Sequence, residues 1–476
     1  MTVGEELGVS QTREDIPLKN GRKATRPYFC NEECFSGSKY MNIAFGTLTF
    51  IITLALLIQI YYGDYQVVPH GSVATDSLEC SEIGTYVLKE GGNSIDAVIA
   101  SALCLAVSTP HLTGLDAEGH LLIYNHKAKQ PPTVIDFSYP KVLPQTLPRL
   151  VFGLAYVHQQ YGSLAWKDLV LPASELARKG YVVPKTLVEA ITLSKSEDLY
   201  GHLEAGQLKT HDDLAKTLDH IASMSENELL DSLKDLREPL TSEATKVKFG
   251  NFDVFLPNDN TSAALLAFAL KELDSQNNSK LISTKEENIY RLAEITKNIF
   301  TTNFSEPLHE GTVSNIAVID KDENYVSMVT GMYNYFGSGD ITSHGYVLDV
   351  KSKDKPCSRI ALIMKDGNSI CGRRIVFGAS NFAVALQIIS SLLIVKDNAT
   401  ESIEAARFHI LPDGTLGIEG THFPAFNEEV MKYLETLISK PVLLQEPYGS
   451  SNIIEKFKDD LSSHSDSRGG GIASRF

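Results

Sequence analysis

The stretch from His309 to Gly339 reads HEGTVSNIAVIDKDENYVSMVTGMYNYFGSG, and it places a Gly-Thr step, Gly311-Thr312, just before an apolar run. A threonine at the head of a buried strand can attack the carbonyl that precedes it and split the chain. The new N-terminal threonine then holds its α-amino group, a base, beside its own hydroxyl nucleophile. The same two residues also suit an ordinary loop that leads into a strand. Thr312 is the candidate catalytic residue, and Ser314 is the other hydroxyl nearby.

Stepping outward, Val313 to Ile319 is β-branched and long enough for a strand buried on both faces. Lys321-Asp322-Glu323-Asn324 is turn-like, and Tyr325 to Met332 predicts the second strand of a hairpin. Further upstream the pattern predicts a short strand over Ser72 to Thr75, then an amphipathic helix from about Ser77 that Gly91-Gly92 ends. An apolar helix follows over Ser94 to Val107, then strands over Leu121 to Asn125 and Thr133 to Phe137. A helix over Glu286 to Phe300 precedes the Gly-Thr step.

A chain of 476 residues can bury one large core or two to three smaller ones. Its formal net charge of −16 argues against a nucleic-acid partner, which requires a basic face. Six cysteines are too few for a disulfide scaffold, and no CxxC pair, HExxH or GxxxxGK[ST] occurs, so no metal or nucleotide site is expected. Residues 1–40 read as a polar, disordered tail. Its Cys30 and Cys34 are palmitoylation candidates or plain thiols. Residues 41–62 carry no charge and suit one transmembrane helix in contact with the lipid bilayer. Lys19, Arg22, Lys23, Arg26 and Lys39 precede it, whereas no Lys or Arg follows before Lys89. The positive-inside rule therefore predicts a type II topology with the bulk of the chain extracellular or lumenal. The four sequons, at Asn260, Asn277, Asn303 and Asn398, all follow the helix and fit glycosylation on that side.

Downstream of residue 70 the chain resembles the gamma-glutamyltransferase (glutathione hydrolase) family. The matching pieces, in order, are Ala74-Thr75-Asp76; Gly91-Gly92-Asn93-Ser94-Ile95-Asp96-Ala97; Thr109-Pro110-His111 with Gly114; and Tyr161-Gly162-Ser163-Leu164-Ala165-Trp166. Arg237-Glu238-Pro239-Leu240, Val326-Ser327, Phe336-Gly337-Ser338-Gly339 and Ser465-Asp466-Ser467-Arg468-Gly469-Gly470-Gly471 complete the series. The resemblance implies an α+β fold, the N-terminal-nucleophile hydrolase αββα sandwich. It divides the chain into a large-subunit-like region, 63–311, and a small-subunit-like region, 312–476. It also implies a Cys80–Cys104 disulfide, which the oxidising side of a membrane permits. Glutathione or other γ-glutamyl compounds are the implied substrates, with no cofactor or metal.

Family roles, carried over residue by residue, fall unevenly. Asp354 matches the family's aspartate for the substrate amine, and Ser358 matches one of its paired substrate-binding serines. By contrast, Val313 stands at the nucleophile position, one residue after Thr312, and a one-residue slip turns a strand side chain to the opposite face. Asn315 stands in place of a histidine, and Ser138 in place of the arginine that binds the substrate carboxylate. Gly331 and Tyr333 replace a threonine and an asparagine, Lys351 a glutamate and Cys357 a serine. The glycine pair that holds the oxyanion has no counterpart near Gly378-Ala379-Ser380-Asn381-Phe382. Losing one partner of a desolvated charge pair costs about 2–5 kcal/mol, and one oxyanion donor about 10²- to 10³-fold in rate. Three alternatives follow: a pseudoenzyme that keeps the fold as a membrane glycoprotein and binds a partner such as a paralogue; an active hydrolase using Thr312; or a site that uses Lys351 and Lys353 for a different, anionic ligand.

Overall fold

The computed structural model describes residues 32–62, 69–138, 148–232, 238–258, 260–277, 284–303, 309–350, 358–437 and 441–476. It divides into two units after Gln66. Among the described residues the first holds one helix, Glu32–Tyr62, so the residues expected as the end of a disordered tail are helical from Glu32 onward. Its span Lys39–Tyr61 is apolar over 23 residues, about 35 Å at the α-helical rise and long enough to cross a bilayer. With no charged residue from Met41 to Tyr62, nothing interrupts that span.

The second unit is an αββα sandwich. Its strands are β1 (Ser72–Ala74), β2 (Glu118–Asn125), β3 (Thr133–Asp136), β4 (Tyr181–Val182), β5 (Leu208–Lys209), β6 (Leu240–Glu243), β7 (Thr245–Phe249), β8 (Phe252–Leu256), β9 (Ser314–Ile319) and β10 (Asn324–Gly331). Then come β11 (Ile360–Asp366), β12 (Arg374–Ala379), β13 (Phe408–Ile410), β14 (Leu416–Glu419), β15 (Val442–Leu444), β16 (Ile453–Phe457), β17 (Asp460–His464) and β18 (Ser474–Arg475). One sheet has the order β18-β1-β9-β10-β2-β3-β6 and the other β17-β16-β12-β11-β8-β7.

The β9–β10 hairpin sits at the centre of the first sheet, in the register Ser314↔Thr330 to Ile319↔Tyr325. Both faces of β9 are buried, which suits its unbroken apolar run from Ile316 to Ile319. Ile316 and Val318 join the core beneath Ser94–Ser108, Arg149–Tyr161 and neighbouring helices. Val313, Ala317 and Ile319 point instead into the layer between the sheets, against Ala361, Ile363 and Val376. A third core packs the helices Thr261–Asn277, Lys285–Asn303 and Phe382–Ser390 on the outer face of the second sheet. The first sheet draws β1, β2, β3 and β6 from residues before 311 and β9, β10 and β18 from residues after it. Cys80 and Cys104, on the helices Leu78–Lys89 and Ser94–Ser108, form a disulfide.

Candidate active site

Thr312 lies one residue before β9, in a backbone that Gly311 turns with a positive φ of 63°. It is buried, and its polar atoms are committed. The hydroxyl donates to the Leu112 carbonyl at 2.5 Å and accepts the Met332 N–H at 2.8 Å. Its own N–H donates to Met332 O at 3.0 Å. Gly331 makes this arrangement sterically feasible: a Cβ there would stand 2.1 Å from the Thr312 carbonyl oxygen. Gly331 is therefore the residue that lets Thr312 sit back into the ladder.

Thr312 and Val313 border a cavity of about 350 Å³ with Leu112, Glu310, Tyr335, Ser380 and His409. Alternation along the strand points the Val313 side chain between the sheets, so a hydrocarbon occupies that wall of the cavity. Ser314 is turned away: its hydroxyl donates to Asp76 at 2.7 Å. Asp76 also accepts from the Asn315 N–H, Ser450 and Asn452, which hold a fully buried carboxylate whose pKa burial raises.

The floor of the cavity carries a chain of ions that sequence spacing did not disclose. His409 reaches Glu310 at 3.1 Å through one ring nitrogen and Glu419 at 2.9 Å through the other. Glu419 pairs with Arg468 at 2.6 Å, Arg468 with Asp466 at 3.1 Å, and Asp466 with Arg407 at 2.9 Å. Burial opposes a charge on His409, but the two carboxylates outweigh it and carry its pKa up to about 9. Burial likewise opposes the Glu419 anion, and His409 and Arg468 outweigh it, bringing its pKa down to about 2. With both ring nitrogens engaged, His409 is not placed to act as a base.

Backbone donors for an oxyanion are equally occupied where β12 meets the helix Phe382–Ser390. The N–H of Phe382 donates to Ser262 Oγ at 2.9 Å, and those of Ala383 and Val384 go to the capping Asn381 Oδ1 at 3.0 and 3.1 Å. Ser380 Oγ is buried with no partner among the described residues, as is Asn315 Nδ2. His111, next to Leu112, has neither ring nitrogen bonded among them, and burial pushes its pKa down to about 3.

The substrate-binding expectations separate. Ser358 is buried, and its hydroxyl donates to Ser380 O at 2.8 Å, which ties two loops together beside the cavity. Arg359 follows it and reaches Glu118 and Gly331 O, both at 3.2 Å, and Met332 O at 3.1 Å. Ser138 N–H donates to Asp136 at 2.8 Å, and Arg149 is held by Asp349 at 2.9 Å and Asp116 at 3.3 Å. Asp354, Lys351, Lys353 and Cys357 lie outside the described residues. Asn398 is exposed and caps the helix Ala399–Glu404 through Oδ1, whereas Asn260 is half-buried and donates to Arg359 O at 3.0 Å.

The gamma-glutamyltranspeptidase family model matches residues 80–141 and 136–231. Glutathione hydrolase 7 of Homo sapiens is 24% identical over 541 residues, covering 86% of this chain and 80% of that protein. Glutathione hydrolase 2 of Arabidopsis thaliana is 37% identical over 147 residues, 27% of this chain and 25% of its own. Among solved structures, a cephalosporin acylase from Bacillus halodurans superposes with a TM-score of 0.67 at 17% identity, over 86% of this chain and 96% of its own. That likeness concerns the fold, the N-terminal-nucleophile hydrolase sandwich.

Proposed function

We propose, proceeding from this chain's membership of the gamma-glutamyltranspeptidase family, that it is a single-pass type II membrane relative with little or no glutathione hydrolase activity. The observation that carries this is the placement of Thr312. Its hydroxyl is spent on the Leu112 carbonyl and the Met332 amide, while Val313 presents a hydrocarbon to the cavity. An active hydrolase with Thr312 as nucleophile would need that hydroxyl to leave both partners, and it would need oxyanion donors. The amides of Phe382, Ala383 and Val384 are already bonded. Arg149, one of the two cations closest in the chain to Ser138, is paired with two aspartates. Two carboxylates at contact distance hold a guanidinium too tightly for a substrate carboxylate to compete well.

The same reading places the second unit on the extracellular or lumenal side, at the plasma membrane, with glycans on Asn260, Asn277, Asn303 or Asn398. Of the two sequon asparagines whose side chains are described, Asn398 offers the better acceptor, being exposed. A retained fold without turnover suits a binding role, with a paralogue of this family as the partner, and Asp354 and Ser358 as remnants of γ-glutamyl recognition. The test is glutamate release from glutathione by the purified full-length chain. The expected rate equals that of Thr312→Ala. A rate well above it would establish the active hydrolase instead.

A further inference from the structure

A second and larger cavity lies away from Thr312, between the helices of the outer layer. It has a volume of about 580 Å³, within the range of small-molecule sites. Its walls come from the helix Lys285–Asn303, the helix Phe382–Ser390, the π-helical turn Ser391–Val395, the helix Ala399–Glu404 and the loop Pro424–Asn427. Ile289, Ile388, Val395, Phe426 and Val430 make the lining largely apolar. The wider π-helical turn carries two of the lining residues, Ser391 and Val395, and such turns recur at binding sites.

Two donors in the lining lack partners. Ser402 Oγ and Arg407 Nε are buried and unbonded among the described residues, although Arg407 uses Nη2 on Asp466 and the Ile403 carbonyl and Nη1 on the Gly449 carbonyl. A buried donor without an acceptor is destabilising, which an occupant with an acceptor atom would offset. The rim determines the charge of that occupant. Glu286, Glu401 and Glu404 border the cavity, and Lys285 is neutralised by Asp397 at 2.6 Å. An anion would meet these carboxylates, so the acceptor belongs on a neutral molecule.

We propose that this cavity is a second binding site, for an uncharged, mainly apolar small molecule bearing a carbonyl-type acceptor that reaches Ser402 and Arg407. The site is independent of any turnover at Thr312. Benzophenone is a suitable probe, because it is neutral and apolar, carries a carbonyl, and inserts into nearby C–H bonds on irradiation. The full-length chain in lipid nanodiscs is irradiated with increasing benzophenone and the adducts are mapped by peptide mass spectrometry. The site predicts saturable labelling of peptides containing Ile388, Val395 and Val430. Ala406→Trp, which fills the cavity, and Ala425→Trp, which narrows its mouth from an exposed position, each lower that labelling at least tenfold. Labelling of the helix Glu32–Tyr62 serves as the internal reference and stays unchanged. Ser402→Ala lowers cavity labelling about threefold or more, the worth of one neutral hydrogen bond. Cavity labelling that never saturates, or that persists in Ala425→Trp, overturns the proposal; because Ala425 is exposed, that variant decides the matter even if Ala406→Trp fails to fold.

Discussion

Two regions that match family motifs have very different local chemistry. Around Asp96 every element of the motif is engaged. Asn93 and Asp96 form a reciprocal cap on the helix Ser94–Ser108. Asp96 also accepts the N–H groups of Ser163 at 3.0 Å and Leu164 at 3.2 Å, so the segment Gly91–Ala97 and the segment Tyr161–Trp166 are two halves of one contact. Around Thr312 the matching residues are exchanged, and buried polar atoms are left over: Ser380 Oγ, Asn315 Nδ2 and both nitrogens of His111. The first region shapes the scaffold and tolerates no partial solution. The second leaves polar side chains unbonded among the described residues beside the Thr312 cavity.

That contrast can be broken by substitution, and the largest effect belongs to the scaffold. Asp96→Ala leaves the N–H groups of Asn93, Ser163 and Leu164 without their acceptor and removes a cap, at a cost of about 2–4 kcal/mol, read from the urea midpoint. A comparable loss near Thr312 would erase the distinction.

Next in size is a pH effect at the floor of the Thr312 cavity. The folded pKa of His409, about 9, lies above the ordinary 6.5, so its contribution is complete below about pH 6.5 and is lost as the pH rises through 9. Wild type should lose on the order of 3 kcal/mol across that window relative to His409→Gln. Parallel stability curves for the two proteins would mean that the imidazolium is absent.

Gly331→Ala follows, at about 1–3 kcal/mol from overpacking, since the added methyl meets the Thr312 carbonyl. An unchanged unfolding midpoint would show that Thr312 is not seated as described. Thr312→Val removes the hydroxyl bonds to Leu112 and Met332 and should cost about 1–2 kcal/mol with no change in glutamate release. The smallest effect is Thr400→Ala, which deletes the Asn398 sequon while sparing the cap. Stability should stay within about 0.5 kcal/mol and the electrophoretic mobility should rise by the loss of one glycan.

Much of the scaffold was legible in the sequence because it is written locally. The β-branched run and the turn at Lys321–Asn324 specified the β9–β10 hairpin to within a residue at each end. The Gly91-Gly92 break separated two helices, although the Asn93 cap went unread. The apolar span gave the first unit's helix, though not its start at Glu32. What escaped was whatever depends on distant pairing. Glu310, His409, Glu419 and Arg468 are far apart in the chain and meet only when β13 and β14 pack against the C-terminal tail. Arg359 adjoined a residue singled out for substrate binding, but its partners Glu118 and Met332 arrive from other strands. Which way Thr312 faces could be narrowed to two registers; only the bond to Leu112, 200 residues away, decides between them.

The central claim is that the chain keeps the sandwich of a self-splitting hydrolase with its threonine hydroxyl withdrawn from attack. Intact-mass spectrometry of the deglycosylated, denatured full-length protein tests this directly. The account predicts one polypeptide of 52.3 kDa, stable on prolonged incubation. Two polypeptides, the smaller beginning at Thr312, would contradict it.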